Sequence, residues 1–132
     1  MSKILIIEDE RSLNEAYQMV LKRAKHKVFA AYNGQEALDN FANQNPDLVL
    51  LDLRMPKMDG IEFLENLRPD KNYPETHVIV FSNYDDPAEI DKAFKLGATR
   101  YLLKAWSSPK DLVKIVNRTL AENPNKPKAT AR

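Results

Sequence analysis

Glu8 and Asp9 follow directly on the apolar run Ile-Leu-Ile-Ile at 4–7, and Asp52 on Leu-Val-Leu-Leu at 48–51. Lys104 follows Tyr101, Leu102 and Leu103, and Ser82 ends a further apolar run that starts at His77. Such runs read as strands of a parallel sheet buried on both faces. In an open α/β sheet, the carboxyl ends of the strands line the ligand crevice. Three carboxylates and one ammonium gathered there make a site rather than a core. Like charges at close range disfavour ionisation and destabilise the fold, so the acids call for a neutralising cation. Mg²⁺ fits, because it takes oxygen ligands, keeps several waters and needs only one or two carboxylates. No His or Cys stands nearby in the sequence, which argues against zinc. Asp52 is the candidate nucleophile, since a carboxylate can attack a phosphoryl group to form an acyl phosphate. That transfer needs mostly positioning and charge neutralisation. Lys104 can cover phosphoryl oxygens as a point charge, and Ser82 can donate a hydrogen bond to another.

Taken singly, each of these residues has a plainer reading. Acids at 8–10 complement the dipole of a following helix. Ser82 alone is an ordinary turn residue, and Lys104 alone a solvated loop lysine. The reading rests on their coincidence at the ends of separate strands.

Five strand candidates alternate with five helical patterns. The strands are 3–8, 27–31, 47–51, 77–81 and 100–103. The first helix carries Leu13, Ala16, Tyr17, Val20, Leu21 and Ala24 on one apolar stripe. The second starts at Asn33, with Glu36 three residues on as in a capping box; Leu38 and Phe41 face inward. The third follows a loop with Pro56 and Gly60 and carries Ile61, Leu64 and Leu67. The fourth opens at Asp86-Pro87 and is closed by Gly97 as a left-handed cap. The fifth opens at Ser108-Pro109 and buries Leu112, Ile115, Val116, Thr119 and Leu120. Five βα units predict a doubly wound sheet with helices on both faces. The alternation alone leaves the strand order open.

The chain resembles the receiver domain of two-component response regulators over about residues 3–121. The resemblance is carried by Glu8-Asp9, Asp52, Met55-Pro56, Met58-Asp59-Gly60, Ser82, Gly97-Ala98, Tyr101 and Lys104, in order and on the right elements. It implies a flavodoxin-like five-stranded sheet in the order 2-1-3-4-5 with five helices. It implies Mg²⁺ held by Asp9, Asp52 and the backbone carbonyl of Arg54, with Glu8 acting through water. It implies a phosphoryl group accepted on Asp52 from a histidine kinase, a phosphotransfer protein or acetyl phosphate. It implies a switch in which Ser82 moves towards the phosphoryl group and Tyr101 turns inward. The face of the fourth helix, fifth strand and fifth helix then changes its preference for a downstream effector or output domain, and a dimer on phosphorylation is compatible with this. Tyr101 also reads simply as a half-buried strand aromatic.

The sequence departs from the family at two places. The family usually has proline after the lysine, joined by a cis peptide, whereas Ala105 stands here. A cis bond before a non-proline costs about 2.5–4 kcal/mol, so the Lys104-Ala105 bond is expected to be trans or mixed, with a shifted loop over which Trp106 packs. Asn83 follows Ser82 where a smaller residue is usual. With Tyr84 it is expected to slow access to the phosphoryl group and prolong the phosphorylated state.

The remaining features bound the class. A chain of 132 residues suits one domain, expected over 1–122 with a disordered tail or truncated linker over 123–132. A net charge of +1 argues against a domain built to grip nucleic acid directly. The absence of cysteine, of a ~20-residue apolar stretch and of a signal-peptide pattern points to a cytoplasmic location without a membrane partner. Lys22, Arg23, Lys25 and Lys27 read as dipole-complementing cations at a helix end, and His26 as exposed. A haloacid-dehalogenase-type phosphatase would need a second Asp where Arg54 stands. A flavodoxin proper would need a phosphate loop where Glu8-Asp9-Glu10 would repel phosphate. The chain therefore reads as a signalling phosphoacceptor rather than a metabolic enzyme. A receiver-shaped interaction module that works without phosphorylation is the alternative.

Overall fold

The computed structural model describes residues 2–83, 85–104 and 108–122. Strands β1 (Lys3–Ile7), β2 (Lys27–Ala31), β3 (Leu48–Leu51), β4 (His77–Ser82) and β5 (Arg100–Leu103) form one parallel sheet in the order β2-β1-β3-β4-β5. The connecting helices are α1 (Arg11–Arg23), α2 (Gly34–Gln44), α3 (Gly60–Leu67), α4 (Pro87–Lys95) and α5 (Pro109–Leu120), with one extra helical turn at Pro69–Asn72. The expected flavodoxin-like fold is thus present, with strand ends displaced by a residue here and there: Glu8 and Asp47 lie just outside β1 and β3.

Alternate residues of the strands feed two cores, as a parallel sheet covered on both faces requires. Leu5, Ile7, Val49, Leu51, Val78, Val80 and Tyr101 pack under α2, α3 and α4 with Phe41, Phe63, Leu64 and Ala93. Ile4, Ile6, Leu48, Leu50, Ile79, Phe81 and Leu102 pack under α1 and α5 with Leu21, Leu112 and Val116. Two positions depart from expectation on α1. Ala16 is exposed, and the helix instead buries Asn14 completely.

Local chemistry sets the helix ends. The Asn33 side chain accepts from the Glu36 amide, but Glu36 turns its carboxylate to the Tyr32 amide, so the capping box is only half built. Asp59 with Glu62, and Ser108 with Asp111, form complete boxes. Asp86 caps α4, and at the other end Gly97 adopts φ +116°, with the amides of Gly97 and Ala98 bonding back to Phe94 and Ala93. His26 is half-buried rather than exposed, because its ring bonds Asn117 of α5 at 2.8 Å.

Candidate functional site

Register brings the site together. Ile7 pairs with Leu51 across β1 and β3, so Glu8 and Asp52 leave the sheet at one level. Ser82 pairs with Leu103 across β4 and β5, which puts Lys104 one residue beyond Ser82. The chain turns from β1 outward to β2 and later returns past β1 to β3. That reversal opens a crevice between β1 and β3 at the carboxyl ends.

Two residues fix the loops around it. Asn14 donates from Nδ2 to the carbonyls of Glu8 (3.0 Å) and Ala31 (3.1 Å), tying together the ends of β1 and β2. Gly60 starts α3 hard against the end of β3, its amide 2.9 Å from the Leu53 carbonyl. A Cβ there would lie 2.7 Å from both the Asp52 carbonyl oxygen and the Leu53 Cα, closer than real Cβ contacts allow.

The carboxylates of Glu8, Asp9 and Asp52 each bring an oxygen within 4.8 Å of the others. Glu8 and Asp52 are buried while Asp9 faces solvent. The Lys104 ammonium reaches both buried acids, bonding Glu8 Oε1 closely and standing 3.5 Å from Asp52 Oδ2. It sits nearer Glu8 than Asp52. The second Glu8 oxygen accepts from the Glu10 amide at 3.1 Å, and Asp52 Oδ1 from the Arg54 amide at 3.3 Å. Two buried acids thus share one ammonium among the described residues, and the exposed Asp9 stands beside them. Its carboxyl is pushed above the usual range by desolvation, then by the hydrogen bond and charge of Glu8, against a smaller opposing pull from Lys104. Tyr17 beside them has its phenol pushed up by burial and then by Glu8 and Asp52. The donor set is all hard oxygen with no His or Cys, which fits Mg²⁺ and not zinc.

Ser82 is fully buried at the end of β4. Tyr101 on the neighbouring strand β5 is also fully buried. Burial raises the Tyr101 phenol and a hydrogen bond with Ser82 opposes it. Arg54 projects its guanidinium away from the acids to Glu89 on α4, at 3.1 Å. The structure thus gathers Glu8, Asp9, Asp52 and Lys104 tightly and buries both Ser82 and Tyr101. The Arg54 side chain leaves the cluster, although its amide touches Asp52. Tyr84, Ala105 with the Lys104-Ala105 bond, Trp106 and the tail lie outside the described residues.

Sequence reasoning overlooked Asn14 and Glu89. Asn14 was detectable, since an amide at i with Tyr17 and Leu21 at i+3 and i+7 interrupts an apolar stripe. Glu89 carried no such signal, because an acid in the first turn of a helix is explained by the dipole.

Comparison with known proteins agrees with this arrangement. The model of the response regulator receiver domain matches residues 4–117. The probable transcriptional regulator ycf27 of Porphyridium aerugineum is 36% identical over 110 residues, covering 83% of this chain and 44% of that protein. The alkaline phosphatase synthesis transcriptional regulatory protein PhoP of Bacillus subtilis (strain 168) is 35% identical over 106 residues, covering 80% and 43%. The chain spans about half the length of the curated relatives it matches. The chemotaxis response regulator CheY4 of Vibrio cholerae superposes with a TM-score of 0.81 at 28% identity, covering 90% of this chain and 98% of that one. A LuxR-family DNA-binding response regulator from Staphylococcus aureus gives 0.80 at 29%, covering 91% and 99%. An acid pocket at the β1/β3 crevice, on this sheet and with this match along most of its length, makes the chain a member of the response regulator receiver domain family.

Proposed function

We propose that the domain accepts a phosphoryl group on Asp52 and uses it to change the face formed by α4, β5 and α5. The observation that carries this is the shared ammonium: Lys104 lies between buried Glu8 and Asp52, with Asp9 at their exposed rim. A buried cluster with more acid than base is costly unless a cation or a reaction uses it. Asp9, Asp52 and the Arg54 carbonyl would hold Mg²⁺, with Glu8 acting through water, and the bound ion supplies positive charge to the incoming phosphoryl oxygens. An Asp52 carboxylate oxygen attacks phosphorus, and the bond from phosphorus to the donor's nitrogen or oxygen breaks, leaving with its electron pair. The donor is a histidine kinase, a phosphotransfer protein or a small acyl phosphate. Lys104 neutralises charge on the transferred group, and Ser82 donates its hydroxyl to it.

Ser82 then divides its hydrogen bonding between the phosphoryl group and Tyr101. An inward Tyr101 is the position this reading assigns to the phosphorylated form, so the switch is a shift between existing populations rather than a new fold. The readout is an effector protein or an attached output domain; the relatives named as transcriptional regulators carry a further half of chain that could serve as one. The location in this reading is the cytoplasm. Among the described residues no helix is long and apolar enough to cross a membrane.

The test is intact mass after incubation with acetyl phosphate and Mg²⁺. A phosphoryl adduct lost in Asp52→Asn and in a chelator is the expected result. A folded, Mg²⁺-binding protein that takes no phosphoryl group from acetyl phosphate or from any kinase would favour an interaction module that works without phosphorylation.

A further inference from the structure

Arg54 stands two residues after the acceptor, and its amide touches the Asp52 carboxylate. Its guanidinium nevertheless points across a groove lined by Leu53, Met55 and Ile61 to Glu89 in the first turn of α4. The pair is partly solvated, with side-chain exposures of 48% for Arg54 and 26% for Glu89. Exposed pairs of this kind are weak, so a stronger anion within reach of the arginine stem can take the guanidinium away. Phosphorylation of Asp52 creates one, adding charge and three acceptor oxygens beside the Arg54 main chain. The same two charges act on the Tyr101 hydroxyl, Glu89 raising its pKa together with Asp85 and Arg54 lowering it.

We propose that Glu89 is a positioning residue for the phosphoryl site, holding the Arg54 guanidinium on α4 until a phosphoryl group on Asp52 draws it off. This rests on the reading of Asp52 as phosphoacceptor. Release leaves Glu89 without this cation and frees the first turn of α4 from the β3–α3 loop. The acceptor is thereby linked to α4 by a route separate from Ser82. Exchange of Arg54 between two anions has a direct consequence. Whatever loosens it from Glu89 favours the phosphorylated state, and whatever removes the guanidinium cancels that gain.

The experiment measures binding of beryllofluoride with Mg²⁺, a phosphoryl mimic, to the wild type, Glu89→Gln, Arg54→Met and the double variant. The Arg54 Nε–H resonance is followed in the wild type. Glu89→Gln is expected to bind more tightly, by up to about fivefold for an exposed pair. Arg54→Met is expected to bind more weakly, and the double variant to match Arg54→Met, since in this reading Glu89 acts on the phosphoryl site through Arg54. The Arg54 resonance is expected to move on saturation, which a purely structural tether would not produce. A Glu89→Gln effect that persists without Arg54, or an Arg54 resonance that stays put, overturns the inference while leaving the phosphoacceptor intact. A wild type that binds no beryllofluoride and takes no phosphoryl group overturns both.

Discussion

The two ends of this sheet treat buried charge in opposite ways. At the carboxyl end, among the described residues, the buried Glu8 and Asp52 share the ammonium of Lys104, with Asp9 at their exposed rim. At the amino end the buried guanidinium of Arg100 has a carboxylate of its own, although its Nε stays unpaired. Arg100 at the start of β5 pairs with Glu122 beyond α5 at 2.7 Å, and the Lys3 amide bonds Asp47 at 2.8 Å. Thr76 and Thr99 spend their hydroxyls on backbone groups between strands, and His77 is held uncharged by burial. A matched set holds elements in place and asks for nothing more. An unmatched one is a store of repulsion that a cation or a new anion can redirect, and this is the physical difference between a seam and a site.

Breaking each end separately tests the contrast. Lys104→Met should have the largest effect on stability, because it leaves two buried acids without a counter-charge. A loss of about 3 kcal/mol in urea unfolding at neutral pH is expected with a chelator present, and Mg²⁺ should recover part of it. Glu122→Gln should cost about 1–2 kcal/mol, less because Glu122 is partly exposed while the Arg100 it leaves is buried. Asp52→Asn should go the other way, raising stability by about 1 kcal/mol while abolishing phosphorylation, since Glu8 and Lys104 are left as a matched pair. An Asp52→Asn protein less stable than the wild type would mean that the carboxyl end is as balanced as the amino end.

The smallest effect is expected from pH at His77. Burial, the first cause, lowers its pKa below the ordinary 6.5, against weaker opposing contributions from Glu122. The unfolded chain therefore takes up a proton at higher pH than the folded one. The His77 contribution is fully present above pH 6.5 and is lost as pH falls through 6.5 towards the lower folded value. Unfolding followed from pH 8 to pH 5 should show that slope, and His77→Gln should flatten it. An unchanged slope in the variant would assign it to another group.

Much of the arrangement was readable before any coordinates. Apolar runs of three or four residues, ended by Glu8, Asp52, Ser82 and Lys104, located four strands, and Asn33, Asp86, Gly97 and Ser108 marked helix ends by the hydrogen bonds their side chains or backbone can make. Those signals are local and survive in a one-dimensional reading. The half-buried His26 and the Arg54–Glu89 pair escaped it because their partners lie far along the chain. The turn at Pro69–Asn72 was missed because four residues are too few to show a period.

By itself the sequence determined an alternating α/β chain with acids and a lysine at strand ends, because apolar period and capping chemistry act over a few residues. Only the tertiary structure decided how the charge is shared. Parallel register put Ile7 beside Leu51 and Ser82 beside Leu103, and so drew Lys104 between Glu8 and Asp52. The placement of α4 across a groove from the β3–α3 loop put Glu89 within reach of Arg54. Electrostatic energy depends on distance and burial, and neither exists until the sheet has closed.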